Sequence, residues 1–308
     1  MVRVGRVGSG TVREGPSAVG GWDRRAVPGR ATAADHPIMR SHLRRLGPLT
    51  LAIALVAGVV PAATATDADV SETAIRAAEH EALILTNQRR TARGLVRLRW
   101  DPRMAALARD RAEYMAATGN FSHTQSGGRD VFDMIQAAGI RWYAAGEIIA
   151  WNTAGPLDYS ATFAVQGWMG SSGHRAIVVS DDYNYVGFGL AIADNGTRYW
   201  AGVYLRGPDR TGGYARVGSF SKVYLSATWA RGTIRWTGGD LRLQVLTAGH
   251  RYFQIGRHLA GGSWENLGTT RSTSLTKWWL RGEVYEFRVR ERDRNGNWGA
   301  WATKTIRP

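Results

Sequence analysis

Cysteine is absent from the 308 residues. That one absence removes disulfides, thiolate zinc sites, Fe–S clusters and cysteine nucleophiles together. It does not fix the compartment, because a chain long enough to bury a sizeable core can be exported without covalent staples. Lysine is scarce too: of 40 basic residues only Lys222, Lys277 and Lys304 are lysine. This bias points to GC-rich codon usage more than to a selected chemistry. Long apolar runs are lacking, and the one candidate, residues 46–60, has fifteen residues, too few for a comfortable membrane span. Acidic residues number 25, which leaves a net charge of +15. A charge of that size raises the question of nucleic acid, and its distribution answers it.

What surrounds the short apolar run gives it a meaning. Arg40, Arg44 and Arg45 precede it and Ala63-Thr64-Ala65 follows it. Together they read as a secretory signal peptide at 39–65, cleaved after Ala65, with no membrane span afterwards. Residues 1–38 are Gly/Arg-rich and lack periodicity, so they read as a disordered or over-extended gene start ahead of Met39. Residues 1–65 carry +6, residues 66–216 carry no net charge, and residues 217–308 carry +9. The exported protein is therefore neutral in its first part and basic only in its last.

The neutral segment begins with helical patterns. One runs from Ser71 to about Arg93. A second follows the N-cap and N1 pair Asp101-Pro102, with Met104, Leu107, Ala108, Ala112 and Met115 at helical spacing. Shorter ones fit Val131 to Ala138 and Tyr159 to Met169. After Asp181 come two strand patterns, 185–192 and 199–205, joined by the turn Asp194-Asn195-Gly196-Thr197. Helices followed by a hairpin indicate an α+β domain.

Three residues in this segment stand out chemically. His123 and His174 sit in Gly/Ser-rich stretches read as loops at helix ends, and Glu147 is a lone carboxylate among alanines and isoleucines. A carboxylate in such surroundings is desolvated unless partnered. Two histidines would supply that partner and are suited to a divalent metal. On composition alone, satisfied core polar residues remain the simpler account. His80 reads as a residue of a solvated helix face, since the zincin pattern begun by His80-Glu81 fails at Ile84.

Several motifs in order now carry a resemblance: Leu85-Thr86-Asn87-Gln88-Arg89-Arg90, Leu98-Arg99-Trp100-Asp101, Phe121-Ser122-His123, Gly146-Glu147-Ile148-Ile149-Ala150, Trp168-Met169-Gly170-Ser171-Ser172-Gly173-His174-Arg175 and Val186-Gly187-Phe188-Gly189. Over about residues 80–205 the chain resembles the CAP (SCP/PR-1/antigen 5) superfamily in its bacterial, cysteine-free branch. The resemblance implies an α-β-α sandwich with a cleft lined by His123, Glu147 and His174, where the histidines of relatives hold a divalent metal such as zinc. Two departures matter. Ser171 stands where the eukaryotic pattern has a second glutamate, and Ile148 replaces an amide. Both lower the polarity of the cleft and weaken acid–base catalysis by paired carboxylates.

Two histidines, a carboxylate and a water match a hydrolytic zinc site in ligand type. If Glu147 is a ligand, however, no second carboxylate in these motifs remains as base. Ser219-Phe220-Ser221-Lys222 fits Ser-x-x-Lys without its companion motifs. Binding of a metal or of an unknown small ligand in the cleft therefore stands ahead of metal-dependent, peptidase-like hydrolysis.

Beyond a linker at 211–217, strand patterns fill 218–308: Val223 to Trp229, Thr233 to Thr237, Tyr252 to Arg257, Ser263 to Leu267, Glu283 to Arg290 and Ala300 to Thr305. In Tyr285-Glu286-Phe287-Arg288-Val289-Arg290 apolar and charged residues alternate, as in a half-buried antiparallel strand. The pattern Leu280-x-Gly282-x-x-Tyr285-x-Phe287-x-Val289 resembles the corner and following strand of fibronectin type III domains. It implies an all-β, immunoglobulin/fibronectin III-like sandwich of seven strands. Asp293-x-Asn295-x-Asn297 opens like a calcium loop, but Trp298 stands where glycine is needed. Seven of the 13 tryptophans lie here. Core packing plus solvated strand faces is the simpler account; the sharper one is a basic aromatic surface that grips an acidic extracellular or cell-wall polymer. Nucleic acid is not expected, as no arginine-rich recognition helix or RNP-like motif is present.

The sequence thus describes a secreted, extracellular monomer: a CAP-like domain at 66–210 followed by a β-sandwich at 218–308. An adhesive module with an incidental cleft is the further alternative.

Overall fold

The computed structural model describes residues 2–6, 71–153 and 155–308. The expected leader, 39–65, lies outside the described residues.

In the first half, helix boundaries follow local chemistry. Helix α1, Glu72–Thr91, starts where the Ser71 hydroxyl accepts from the Ala74 N–H, and Arg89 and Arg90 sit at its negative end. Helix α2, Pro102–Thr118, is capped by the Asp101 carboxylate on the Arg103 N–H. It stops at Gly119, whose φ of 66° an L side chain rarely adopts. A reciprocal Asp130/Asp133 capping box opens α3, Val131–Ala137. Helices α4, Leu157–Gly170, and α5, Ser172–Val178, follow one another across Ser171.

Between and after these helices lie β1, Val2–Arg6; β2, Arg99–Trp100; β3, Ala144–Asn152; β4, Tyr185–Ile192; and β5, Arg198–Arg206. They form one sheet in the order β1-β3-β5-β4-β2. Helices α1, α4 and α5 cover one face through Ala78, Ala82, Val165, Trp168 and Ile177. Helices α2 and α3 cover the other through Met104, Ala108, Met115, Val131 and Ile135. Burying each large aliphatic side chain contributes about 1.5–3 kcal/mol. The result is a three-layer α/β arrangement.

Two sequence readings are corrected here. The stretch around Glu147 is a strand, β3, which the sequence did not show because its first six residues are all buried. A strand covered on both faces loses the two-residue alternation by which strands are read. His174, read as a loop residue, lies in the first turn of α5. In addition, residues 2–6, assigned to a disordered or over-extended start, form β1 and pair with β3.

The second half contains β6, Tyr214–Tyr224; β7, Trp229–Gly239; β8, His250–Leu259; β9, Glu265–Thr270; β10, Ser274–Leu280; β11, Tyr285–Asp293; and β12, Ala302–Ile306. These make antiparallel sheets of three strands, β10-β7-β6, and four, β12-β11-β8-β9. Ile234, Trp236, Phe253, Trp279, Phe287 and Val289 fill the space between them. Tyr285, Phe287 and Val289 are buried and Glu286, Arg288 and Arg290 half-buried, as the alternation predicts. The pattern read from Val223 to Trp229 instead straddles a turn between β6 and β7. Residues 214–217, expected in the linker, already belong to β6.

The two halves are firmly joined. Leu243, between β7 and β8, is buried in the core beneath α2. The neighbouring Gln244 side chain accepts from the Val96 N–H at 2.7 Å, and the Val245 carbonyl accepts from Asn184. Arg210 pairs with Asp101, the α2 cap. Burial alone would raise the Asp101 pKa, but Arg103 and Arg210 together hold it below its ordinary value. Gly212 allows the close approach: a Cβ there would lie 2.0 Å from the Trp298 carbonyl oxygen.

Candidate functional site

Helix α2 presents a buried stripe of Met104, Ala108, Arg111 and Met115 toward the sheet. Its one charged member, Arg111, is fully buried, as is Glu147 on β3. The Arg111 Nε donates to Glu147 Oε1 at 2.7 Å. A second guanidinium nitrogen, Nη2, donates to the Ser122 carbonyl at 2.5 Å, which ties down the loop carrying His123. The remaining Glu147 oxygen, Oε2, is bonded to His123 Nδ1. Both oxygens of the carboxylate are thus engaged, one by a guanidinium and one by an imidazole.

This arrangement gives each residue a role. An ionised carboxylate only accepts hydrogen bonds, so the imidazole donates from Nδ1, and Nε2 is the atom left for other chemistry. That Nε2 is shielded from solvent and has no hydrogen-bond partner among the described residues, in a side chain that is 8% exposed. Glu147 stands behind His123 and fixes the orientation of its ring through that hydrogen bond.

His174 is 4% exposed in the first turn of α5, a helix that touches β3. All three sequence-predicted residues are therefore buried, but only His123 and Glu147 are directly bonded, on the face of the sheet that α2 covers, whereas α5 packs on the other face. As a metal set the three fit poorly, because the carboxylate meant as a ligand already serves Arg111 and His123. Among the described residues, the one trio of potential ligands with donor atoms all within 4.8 Å of one another is Asp209, Asp240 and Asp293. Their oxygens accept hydrogen bonds from Thr211, Ala248, Gly249 and Asn297, which hold the junction between the halves. The Asp293-x-Asn295-x-Asn297 segment serves that junction too, through both asparagine amides on the Asp209 carbonyl.

Sequence reasoning missed Arg111. A signal was present: one arginine in the apolar stripe of α2 and one glutamate in an apolar strand are each unaffordable alone and natural as a pair. Other candidates recede. His80 is exposed, its ring 4.5 Å from that of Trp100. Lys222 donates to the Arg307 carbonyl at 3.0 Å, a contact between chain segments.

The tryptophans of the second half fall into three groups. Trp236 and Trp279 are core residues. Trp264, Trp298 and Trp301 interleave with Arg288, Arg290 and Arg292: Arg288 lies 3.9 Å from the Trp264 ring centre and 4.3 Å from that of Trp301, and Arg290 lies 4.0 Å from that of Trp298 and 4.4 Å from that of Trp301. Trp229 and Trp278, 41% and 56% exposed, stand on β7 and β10, with Arg231 paired to Trp278.

Residues 83–204 match the family model described as CAP, the Cysteine-rich secretory protein family. Among curated proteins, the uncharacterized membrane protein YlbC of Bacillus subtilis (strain 168) is 34% identical over 113 residues, covering 36% of this chain and 31% of that protein. The uncharacterized protein YkwD of the same organism is 30% identical over 115 residues, covering 37% of this chain and 43% of that protein. The chain thus spans less than half the length of these relatives. Of solved structures, an extracellular protein containing a SCP domain from Bacillus anthracis str. Ames matches at 26% identity and a TM-score of 0.36, covering 42% of this chain and 41% of that chain. A cysteine-rich secretory protein from Staphylococcus aureus subsp. aureus Mu50 matches at 18% identity and a TM-score of 0.35, covering 44% of this chain and 40% of that chain. Among the described residues no helix is long and apolar enough to cross a membrane.

Proposed function

We propose that residues 66–210 are the CAP domain of an extracellular protein, and that its cleft binds a ligand through His123, with Glu147 and Arg111 as a fixed support, and does not hydrolyse it. The observation that carries this reading is the double engagement of Glu147. Hydrolysis by paired carboxylates needs one of them free to take a proton from water. Glu147 has no free oxygen for that task, and Ser171 leaves the site without a second acid. The shielded, unpartnered Nε2 of His123 suits a ligand contact. The family match at 83–204 supports the domain, and the sequence of 39–65 supports export.

The test has two arms on the full chain. A peptidase and esterase screen with and without chelator is expected to show no turnover. Turnover that disappears in His123→Ala would refute the reading. Zinc titration followed by imidazole NMR is expected to move the His123 ring signals without shifting Glu147 away from Arg111.

We infer that residues 218–308 are fibronectin III-like. The first, second and fifth strands form one sheet and the other four form the second. The Tyr285 hydroxyl accepts from the Leu280 N–H across the corner before β11. A second reading, adhesion through this half, is favoured by the exposure of Trp229 and Trp278 beside Arg231. Retention on purified wall polymer is expected to fall as salt rises and to weaken in Trp278→Ala.

A further inference from the structure

Strand β1 lies antiparallel along β3, with Val2 opposite Ile148, Arg3 opposite Glu147, Val4 opposite Gly146 and Arg6 opposite Ala144. The other edge of β3 is taken by β5, so β1 occupies the outer edge of the sheet at the very residue that supports His123. Helix α5, the helix of His174, touches both β1 and β3. The strand therefore lies beside the strand that carries Glu147 and against the helix that carries His174. Yet it belongs to the segment whose sequence marks it for removal on export. Without it, the N–H and C=O groups of residues 144–148 on that edge have no sheet partner, and an open edge is a template for another strand.

We propose that the outer edge of β3 is a polypeptide-binding site, at which the exported protein takes an extended segment of another protein as an added antiparallel strand, in the place and register of residues 2–6. This deepens the ligand-binding reading of the same cleft and rests on it for location. Affinity would come from main-chain hydrogen bonds and selectivity from alternate side chains. Residues directly opposite in a sheet share a face. The position opposite Gly146 shares the face on which a Cβ at Gly146 would lie 2.8 Å from the Tyr183 hydroxyl and 3.2 Å from Ile177 Cδ1. That face would take small or β-branched apolar residues at every second position. The intervening position lies opposite Glu147, on the face of Arg111 and His123.

The test uses the full chain and a fluorescent hexapeptide copying residues 1–6. In the wild-type chain the tethered strand competes with the peptide. In Arg3→Pro/Val4→Pro, with one proline at each parity of the ladder, the strand loses a main-chain donor that faces β3 and gains rings that disfavour pairing, which leaves the edge open. The melting curve of the variant checks that the fold is retained. The peptide is expected to bind the proline variant at least about tenfold more tightly than the wild type, because a tethered competitor acts at a high effective concentration. It is also expected to shift the backbone amide signals of residues 144–148. A peptide N-methylated at alternate residues is expected to lose that binding. No binding to the proline variant, or equal binding of the N-methylated peptide, overturns the strand site whatever His123 does. Binding that shifts the β3 amides but leaves the His123 ring signals unmoved supports the strand site and removes only the reading of His123 as a ligand contact.

Discussion

Replacing Arg111 by methionine tests whether the buried pair under the cleft is a pair in the energetic sense. Arg111 and Glu147 are both fully buried, and their contact is a 2.7 Å charge-assisted hydrogen bond. Arg111→Met keeps the length and apolar stem of the side chain but leaves the Glu147 carboxylate in the interior with only His123. Breaking a buried ion pair on one side costs about 3–5 kcal/mol, because the remaining charge is uncompensated. At about 1.4 kcal/mol per decade this is two to four decades in the folding constant. In a domain of this size it lowers the melting temperature by about 6–20 °C. The Ser122 carbonyl also loses its donor, which loosens the loop of His123. The compensating change is Glu147→Gln, which removes the stranded charge while an amide oxygen still accepts from His123. The double variant is expected to recover most of the loss and end within about 2 kcal/mol of wild type, since neutral replacements of buried pairs are often tolerated. Urea denaturation of the wild type, both single variants and the double variant closes the cycle. A single-variant loss below about 1 kcal/mol, or strictly additive single and double losses, would refute the reasoning.

Three further outcomes follow from the packing and the charges. Gly187→Ala is expected to cost about 3 kcal/mol or more in urea denaturation, because overpacking is severe where backbone blocks relief: the added Cβ would lie 2.0 Å from the Ala105 backbone nitrogen. A loss under 1 kcal/mol would show that α2 slides freely on β4. Arg290→Ala removes two guanidinium–indole contacts and is expected to lower stability by about 1–2 kcal/mol; an unchanged denaturation midpoint would make the Arg–Trp ladder ornamental. The hydrogen bond from His258 to Glu286 raises the histidine pKa above its ordinary value. Its contribution to stability is thus complete below about pH 6.5 and is lost as pH rises through the folded value. Imidazole NMR is expected to show a high titration midpoint that Glu286→Gln returns to normal.

Much of this molecule was legible in its residues, and the failures have identifiable causes. Caps gave the starts of α1 and α2, because each is written in one or two residues: Ser71 and Asp101-Pro102. The hairpin between β4 and β5 was equally local, with Gly196 in the left-handed region. Strand β3 was not legible as a strand, since burial on both faces erases the alternation. Helix α5 was hidden by Ser171-Ser172-Gly173, whose turn-forming residues here sit in a helix's first turn. The gap between β6 and β7 was lost because Leu225-Ser226-Ala227-Thr228 continues a strand-like alternation up to Trp229. Within the site, His123 and Glu147 are bonded to each other, but Arg111 was absent from the reading. Its partner lies 36 residues away, and only the packing of α2 on β3 makes them neighbours.

That missing arginine alters how the whole cleft is understood. With two histidines and one carboxylate, residue types alone present Glu147 as a metal ligand or a base. With Arg111 added, the same carboxylate becomes a fixed acceptor with both oxygens spoken for, and the reactive end of the site moves to His123 Nε2. The strand at 2–6 alters it again. The site is not a pocket set into a closed surface but the edge of a sheet, and a sheet edge selects its ligand by backbone before side chain. A carboxylate locked from below and a main-chain ladder open at the side are both suited to holding an extended chain still. Neither supplies a carboxylate free to take a proton from water.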